Sequence, residues 1–191
     1  MITYGLLHKI LMAVDFLIAV IFVIFTIRMI RRKAEAARVV AACLLMLYTI
    51  EAFGICFFPF FYNIPICGSV TSHGNLIPFH SIIGCFQNSS AETAVRQILG
   101  SVVIFLPIGL LVPIVSEKFR SAKNILLFSL LLSVGVEAVR FLELLITYLP
   151  NRAFDVDNVI LEFIGGSLGY LLFLAIRKAR KSHLKKAHSE S

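Results

Sequence analysis

Between residues 151 and 162 the chain reads NRAFDVDNVILE, which places Arg152, Asp155, Asp157, Asn158 and Glu162 at the threshold of an otherwise apolar run. A second group, Glu137, Arg140 and Glu143, recurs every three residues inside another apolar run. That spacing puts the three on one broad helix face, so Arg140 can pair with either acid. Two chemistries fit these residue types. Arginines can hold a phosphate or carboxylate while neighbouring acids orient them, or two carboxylates in a low-dielectric cleft, here Glu137 and Asp155, can work as acid and base. A third outcome needs no ligand, because a buried ion pair can simply fix helix register.

The elements that must position these groups follow from composition. Hydrophobic residues make up 59% of the 191 and charged residues 15%, and the mean hydropathy is +0.90. Soluble domains carry about 45–50% and 25%, so this is an integral membrane protein. Apolar runs at roughly 10–30, 39–61, 97–116, 124–147 and 158–176 are each near or above the ~20 residues that cross a bilayer core as a helix. They are apolar on all sides, without the alternation of a transmembrane barrel. The expected fold class is all-α, a polytopic bundle of about five transmembrane helices. Lys9 before the first run resembles the start of a secretory signal, but the run's length, the basic RMIRRK after it and the lack of a small-residue cleavage pattern predict a retained anchor.

Net charge is +7, and its distribution argues for a membrane surface and against nucleic acid. Five of the eighteen Lys and Arg lie between the first two spans (Arg28, Arg31, Arg32, Lys33, Arg38) and three between the third and fourth (Lys118, Arg120, Lys123). Six follow the fifth (Arg177, Lys178, Arg180, Lys181, Lys185, Lys186), leaving only Lys9, Arg96, Arg140 and Arg152 elsewhere. The positive-inside rule then puts the N-terminus outside and the C-terminus in the cytoplasm. Expected organisation is two N-terminal helices over 1–61, an extracytoplasmic loop over 62–96, a three-helix region over 97–176, and a basic cytoplasmic tail over 177–191 held to an anionic inner leaflet.

Ionisable groups inside spans are costly and need a partner or a wet cavity. They are Asp15, Glu51, Glu137, Arg140, Glu143 and Glu162. Asn158, Glu162, Gly165 and Gly169 fall at i, i+4, i+7 and i+11, one stripe that is polar at its upper end and bare at its lower. Gly165 and Gly169 form a small-xxx-small motif for close helix approach. The short outer loop makes the fourth span the expected neighbour, with Glu162 meeting Arg140 in the outer third of the bilayer. In the third span Pro107 removes a helix hydrogen bond and Gly109 loosens the backbone, so a kink is expected around residues 103–109.

The long outer loop keeps Ile64, Ile66, Leu76, Ile77, Phe79, Ile82, Ile83 and Phe86, and is expected to be ordered, dipping into the interface or folding over the bundle. Cys67 and Cys85 share it on an oxidising side, where a disulfide between them is one option. Cys43 and Cys56 read as buried apolar residues. Cys67, His73, His80 and Cys85 lack metal-ligand spacing, so no metal and no cofactor is expected.

Three stretches together resemble the VanZ-like family: NLIPFHSI at 75–82, LGSVVIFLPIGLLVP at 99–113, and residues 133–172. The family pattern is matched at Asn75, Pro78 and Phe79; at Gly100, Phe105, Pro107 and Gly109; at Glu137; at Arg152, Phe154 and Asp155; and at the glycines of the last span. The resemblance covers about half the chain. Departures fall on polar positions: Ser101 stands where the family usually has Asn, Arg140 where it has Gln, Asn158 where it has Asp, and Glu162 where it has Asn. An acid and an amide have exchanged places one helical turn apart, and Arg140 supplies a cation for the relocated acid.

The resemblance implies a place in the bacterial cell membrane and a link to glycopeptide resistance, teicoplanin in particular, without a settled reaction. The residues themselves supply a candidate site, an outward-facing polar pocket formed by Asn75, Ser101, Glu137, Arg140, Arg152, Asp155, Asp157, Asn158 and Glu162. Its expected partner is a lipid-linked wall precursor, a lipid headgroup or a glycopeptide, bound without catalysis. An enzyme using Glu137 and Asp155 on a lipid-linked substrate, or a transporter made symmetric by homodimerisation, are the alternatives.

Overall fold

The computed structural model describes residues 2–57, 74–147 and 154–189. They form six α-helices in the order α1 (Ile2–Arg31), α2 (Ala36–Phe57), α3 (His80–Asn88), α4 (Ala91–Val115), α5 (Ala122–Thr147) and α6 (Val156–Ser189). A 3-10 turn, Glu117–Arg120, joins α4 to α5. Among the described residues there is no strand, only an isolated parallel bridge between Asn75 and Asp155. Five helices, all but α3, are long and apolar enough to cross a membrane. The protein is an all-helical membrane protein.

Three boundaries differ from the sequence expectation. Helix α4 begins at Ala91 rather than 97, because Ser90 caps it: the Ser90 hydroxyl accepts the Thr93 N–H at 3.3 Å, and Glu92 sits in the first turn where the helix dipole favours an acid. Glu92, Arg96 and Gln97 lower the hydropathy there without interrupting the helix. The loop between the second and third spans contains α3, while its residues 58–73 lie outside the described set. The basic segment from 177 continues the last span as helix, since α6 is one helix of 34 residues, about 51 Å at 1.5 Å per residue. A hydrocarbon core of about 30 Å leaves its basic end projecting beyond the membrane.

Helices α4 and α6 run parallel and form the closest contact in the bundle. A Cβ on Gly165 would lie 2.0 Å from the Val102 carbonyl oxygen, one on Gly169 2.0 Å from that of Leu106, and one on Gly109 1.9 Å from that of Gly166. Val102 and Leu106 are four apart, as are Gly165 and Gly169, so a four-residue ridge of one helix lies on that of the other. The small-xxx-small motif therefore packs on the third span, not the fourth as expected. Short loops make neighbours, but α4 brings its own Gly109 against the Gly166 carbonyl, whereas Gly135 of α5 has nothing within 4 Å. Gly166, one position on, faces the fourth span, where its Cβ would be 1.9 Å from the Ser129 hydroxyl oxygen. Helix α4 runs unbroken through Pro107 and Pro113, and Gly109 serves close approach there.

Below this contact Phe105, Ile108 and Val112 of α4 meet Tyr170 and Phe173 of α6, Ile125 of α5 and Leu45 of α2 in one buried cluster. The Tyr170 hydroxyl donates to the Arg120 carbonyl at 2.9 Å. At this same end Arg38 donates to Glu117 at 2.5 Å, and Arg120 lies 3.4 Å from the same carboxylate. The α1–α2 junction, the 3-10 turn and the lower part of α6 thus share one basic end of the bundle. Residues 74–90 and the start of α6 share the opposite, polar end.

Two outcomes follow. Gly109→Ala, Gly165→Ala and Gly169→Ala each drive a methyl into backbone and should cost about 1–3 kcal/mol or more, whereas Gly100→Ala and Gly135→Ala, with nothing within 4 Å, should change little; thermal unfolding of the detergent-solubilised protein measures both. The Arg38 hydrogen bond, then the charges of Arg120 and Arg38, hold the Glu117 carboxyl below its usual range. Its contribution is therefore present above the unfolded carboxylate value of about 4.3 and is lost as pH falls through the lower folded value. Glu117→Gln should flatten the acid limb of a stability–pH profile.

Candidate functional site

Helix α5 carries Ser129, Ser133 and Glu137 at four-residue intervals, and all three are buried. This row faces α6, where Glu162 is buried too. The Ser133 hydroxyl lies 2.8 Å from Glu162 Oε2 and 3.2 Å from the Val159 carbonyl. One turn above, Arg140 Nη1 bonds Glu137 Oε1 and lies 3.6 Å from Glu162 Oε1. The other Glu137 oxygen, Oε2, accepts the backbone N–H of Asp155 at 3.0 Å. Two buried carboxylates from two helices thus share one arginine, whose side chain keeps 18% exposure. Arg140 is the member of this cluster that reaches the surface.

Asn75, Asp155 and Asp157 do something different. The backbone N–H of Asn75 donates to the Phe154 carbonyl at 2.6 Å, and the Val156 N–H donates to the Asn75 carbonyl at 3.0 Å. The Asn75 side-chain amide donates to Asp155 Oδ1 and to the Ser81 hydroxyl, both at 3.0 Å, and its carbonyl oxygen accepts the Ile77 N–H. Gly74 makes the approach possible: its φ is +85°, and a Cβ would lie 3.0 Å from the Phe154 carbonyl oxygen. Asp157 accepts the N–H of Phe79 through Oδ1 and that of Ile82 through Oδ2 at 3.1 Å. A buried carboxylate of α6 therefore caps α3 from outside, each bond to a charged acceptor contributing about 1.5–3 kcal/mol.

Between α3, α4 and α6 a small cleft of about 10 Å³ is lined by Ser81, Ile82, Cys85, Gln97, Ile98, Asp155, Asp157, Asn158 and Leu161, roughly room for one water. Ser101 stands beside it, donating to the Gln97 carbonyl at 3.2 Å and lying 3.5 Å from Asn158 Oδ1. The fold brings Asn75, Ser101, Glu137, Arg140, Asp155, Asp157, Asn158 and Glu162 to the polar end, but as a latch and an ion cluster joined through Asp155. Arg152 lies outside the described residues. Gly165, Gly169 and Gly109 lie below, in the α4–α6 contact. Cys85 is disulfide-bonded, and its expected partner Cys67 lies outside the described residues. Among the described residues no three His, Cys, Asp or Glu side chains gather as a metal-binding group.

Sequence reasoning missed Ser133, Ser81 and the backbone donors of Asp155, Phe79 and Ile82. Ser133 had a signal: Ser129, Ser133 and Glu137 repeat every fourth residue, the small and polar counterpart of the α6 stripe. The backbone donors had none, since amide position depends on how residues 74–82 lie across α6.

Residues 45–177, more than half of the chain, match the family model VanZ/LLP1. The chain belongs to this family. No curated protein and no solved structure matches it. The match begins in α2 at Leu45, upstream of the motifs in 75–172, and Leu45 is buried in the core with α4, α5 and α6. The second span is thus part of the VanZ/LLP1 unit and contributes packing as well as topology.

Arg140 and Glu162 are in contact across α5 and α6. Arg140→Gln alone leaves two buried carboxylates without their cation and should cost about 3–5 kcal/mol. Arg140→Gln with Glu162→Asn removes one charge of each sign and should recover part of that loss, Glu137 still lacking its cation. Thermal unfolding of the purified variants, read as a double-mutant cycle, measures the coupling, and a double variant no more stable than Arg140→Gln would show that there is none.

Proposed function

We propose that this VanZ/LLP1 protein is a non-enzymatic, multi-pass protein of the bacterial cell membrane. Its N-terminus is outside and its C-terminus cytoplasmic, so the polar end faces the cell exterior. There it binds the head of a lipid-linked wall precursor, another lipid headgroup or an amphiphilic glycopeptide, and in doing so raises tolerance to teicoplanin. At the other end, the projecting basic part of α6 lies against anionic lipid, each cation near the surface contributing on the order of 1 kcal/mol.

One observation carries this reading. Arg140, paired with the buried Glu137 and Glu162, keeps 18% side-chain exposure at the polar end, as a site for phosphate or carboxylate requires. Non-catalytic binding is favoured because both oxygens of Glu137 are engaged internally, one by Arg140 and one by the Asp155 N–H. Asp155 Oδ1 in turn receives the Asn75 amide and the Asp157 N–H. Glu137 therefore has no oxygen free to act as a general acid or base, and Asp155 Oδ1 is committed to the fold.

Expression of the wild-type chain in a teicoplanin-susceptible bacterium should raise the inhibitory concentration. Arg140→Gln with Glu162→Asn, and separately Arg152→Ala, should abolish the increase at unchanged protein level on a blot. Full tolerance in both well-expressed variants would overturn the assignment of the site.

A further inference from the structure

The polar end carries an apolar surface that the site does not use. Phe79, Ile83 and Phe86 fall at i, i+4 and i+7, one stripe along α3, and Leu76 and Ile77 precede them; all five are more than half exposed. The adjoining side of α3 is also apolar and is packed: Cys85 is buried with Ala94 of α4, and Ile82 lines the cleft with Ile98 and Leu161. With His80, Gln87 and Asn88 exposed on the remaining side, α3 is amphipathic, and the bundle covers only part of its apolar arc. With nine residues α3 is far too short to cross a bilayer.

Its level and its neighbours say what surrounds it. Asp157 in the first turn of α6 caps its N-terminus, and Ala94 in the first turn of α4 receives Cys85, so α3 lies along the rim where two spans enter the membrane. Val95, Leu99 and Val103, one residue on from the Ala94 and Ile98 row that meets α3, are exposed along α4. On a helix of this hydropathy that stripe is a lipid-facing surface, and the α3 patch continues it. From Gly74 to Ser90 the sequence holds no Asp, Glu, Lys or Arg, so nothing in the patch fits a charged partner. Phe79 takes a left-handed φ of 66°, uncommon for a bulky residue, and is held there by the Asp157 bond with its ring exposed.

We infer that Leu76, Ile77, Phe79, Ile83 and Phe86 form a lipid-contact surface that inserts into the acyl chains of the leaflet at the polar end. Helix α3 is then a half-sunk interfacial helix bolted to the bundle by Asp157. The cleft beside it opens at the level of lipid headgroups instead of in free solution.

The chain contains no Trp, so single tryptophans report cleanly. Ile83→Trp, Phe86→Trp and Phe79→Trp, with Lys118→Trp in the 3-10 turn as a water-exposed control, are reconstituted in phosphatidylcholine vesicles with or without acyl-brominated phosphatidylcholine. Bromolipid should cut the emission at 79, 83 and 86 to about half or less, since acyl chains fill the hydrocarbon layer, and leave 118 bright; acrylamide should do the reverse. Quenching at 83 and 86 by acrylamide and not by bromolipid overturns the proposal, because the patch then faces water. Quenching by neither also overturns it, because the patch is then covered by protein. Ile83→Trp and Phe86→Trp leave the strained turn intact should Phe79→Trp fail to fold. With neither wall precursor nor glycopeptide in the assay, its outcome is separate from that of the susceptibility test.

Discussion

The bundle depends on the approach of α4 to α6. Lipid tails are as apolar as leucine, so helices gain little by hiding hydrophobic side chains from them and associate through close packing and polar contacts. Gly109, Gly165 and Gly169 remove the side chains that would hold the two backbones apart. Once these helices are in register, Phe105, Ile108, Tyr170 and Phe173 close the core at the basic end. The first turn of α6 is carried to the height of Ser101 and Gln97 at the polar end. Gly166, on the neighbouring face, lets Ser129 of α5 close in from the other side.

That register decides where the costly groups meet. Glu137 and Arg140 lie below the polar end of α5 and Glu162 below the start of α6, so the charges find one another inside apolar spans, where an ionised group needs a partner. Ser133 satisfies the remaining Glu162 oxygen. The acid at 162 needs the cation that Arg140 supplies, and the amide of Asn158 adds no further negative charge beside Asp155 and Asp157.

At the polar end the acids act on backbone more than on side chains. Asp157 caps α3, Asp155 receives Asn75, and Glu137 receives the Asp155 N–H. A latch of this kind spends its carboxylates on the fold, which is why the functional reading rests on Arg140. It also holds α3 against the rim with its apolar stripe outward, so the ion cluster and the lipid-facing surface are parts of one assembly joined through the start of α6.

Composition alone determined that this chain lives in a membrane as a bundle of five spans, since no soluble fold accommodates such apolar runs. Periodicity placed Glu162 above Gly165 and Gly169 on one stripe, and the VanZ-like motifs located the region that the family match covers. What sequence spacing could not supply was the partner of each face. A glycine stripe fits any close neighbour, and the choice of α4 over α5 follows from Gly109 meeting Gly166 across the contact, a relation between positions far apart in the chain. Pro107 lies inside α4, which continues as one helix through it. The latch was invisible for a related reason: Asp157 bonds amide protons, every residue but proline has one, and only the path of residues 74–82 across α6 decides which two it meets.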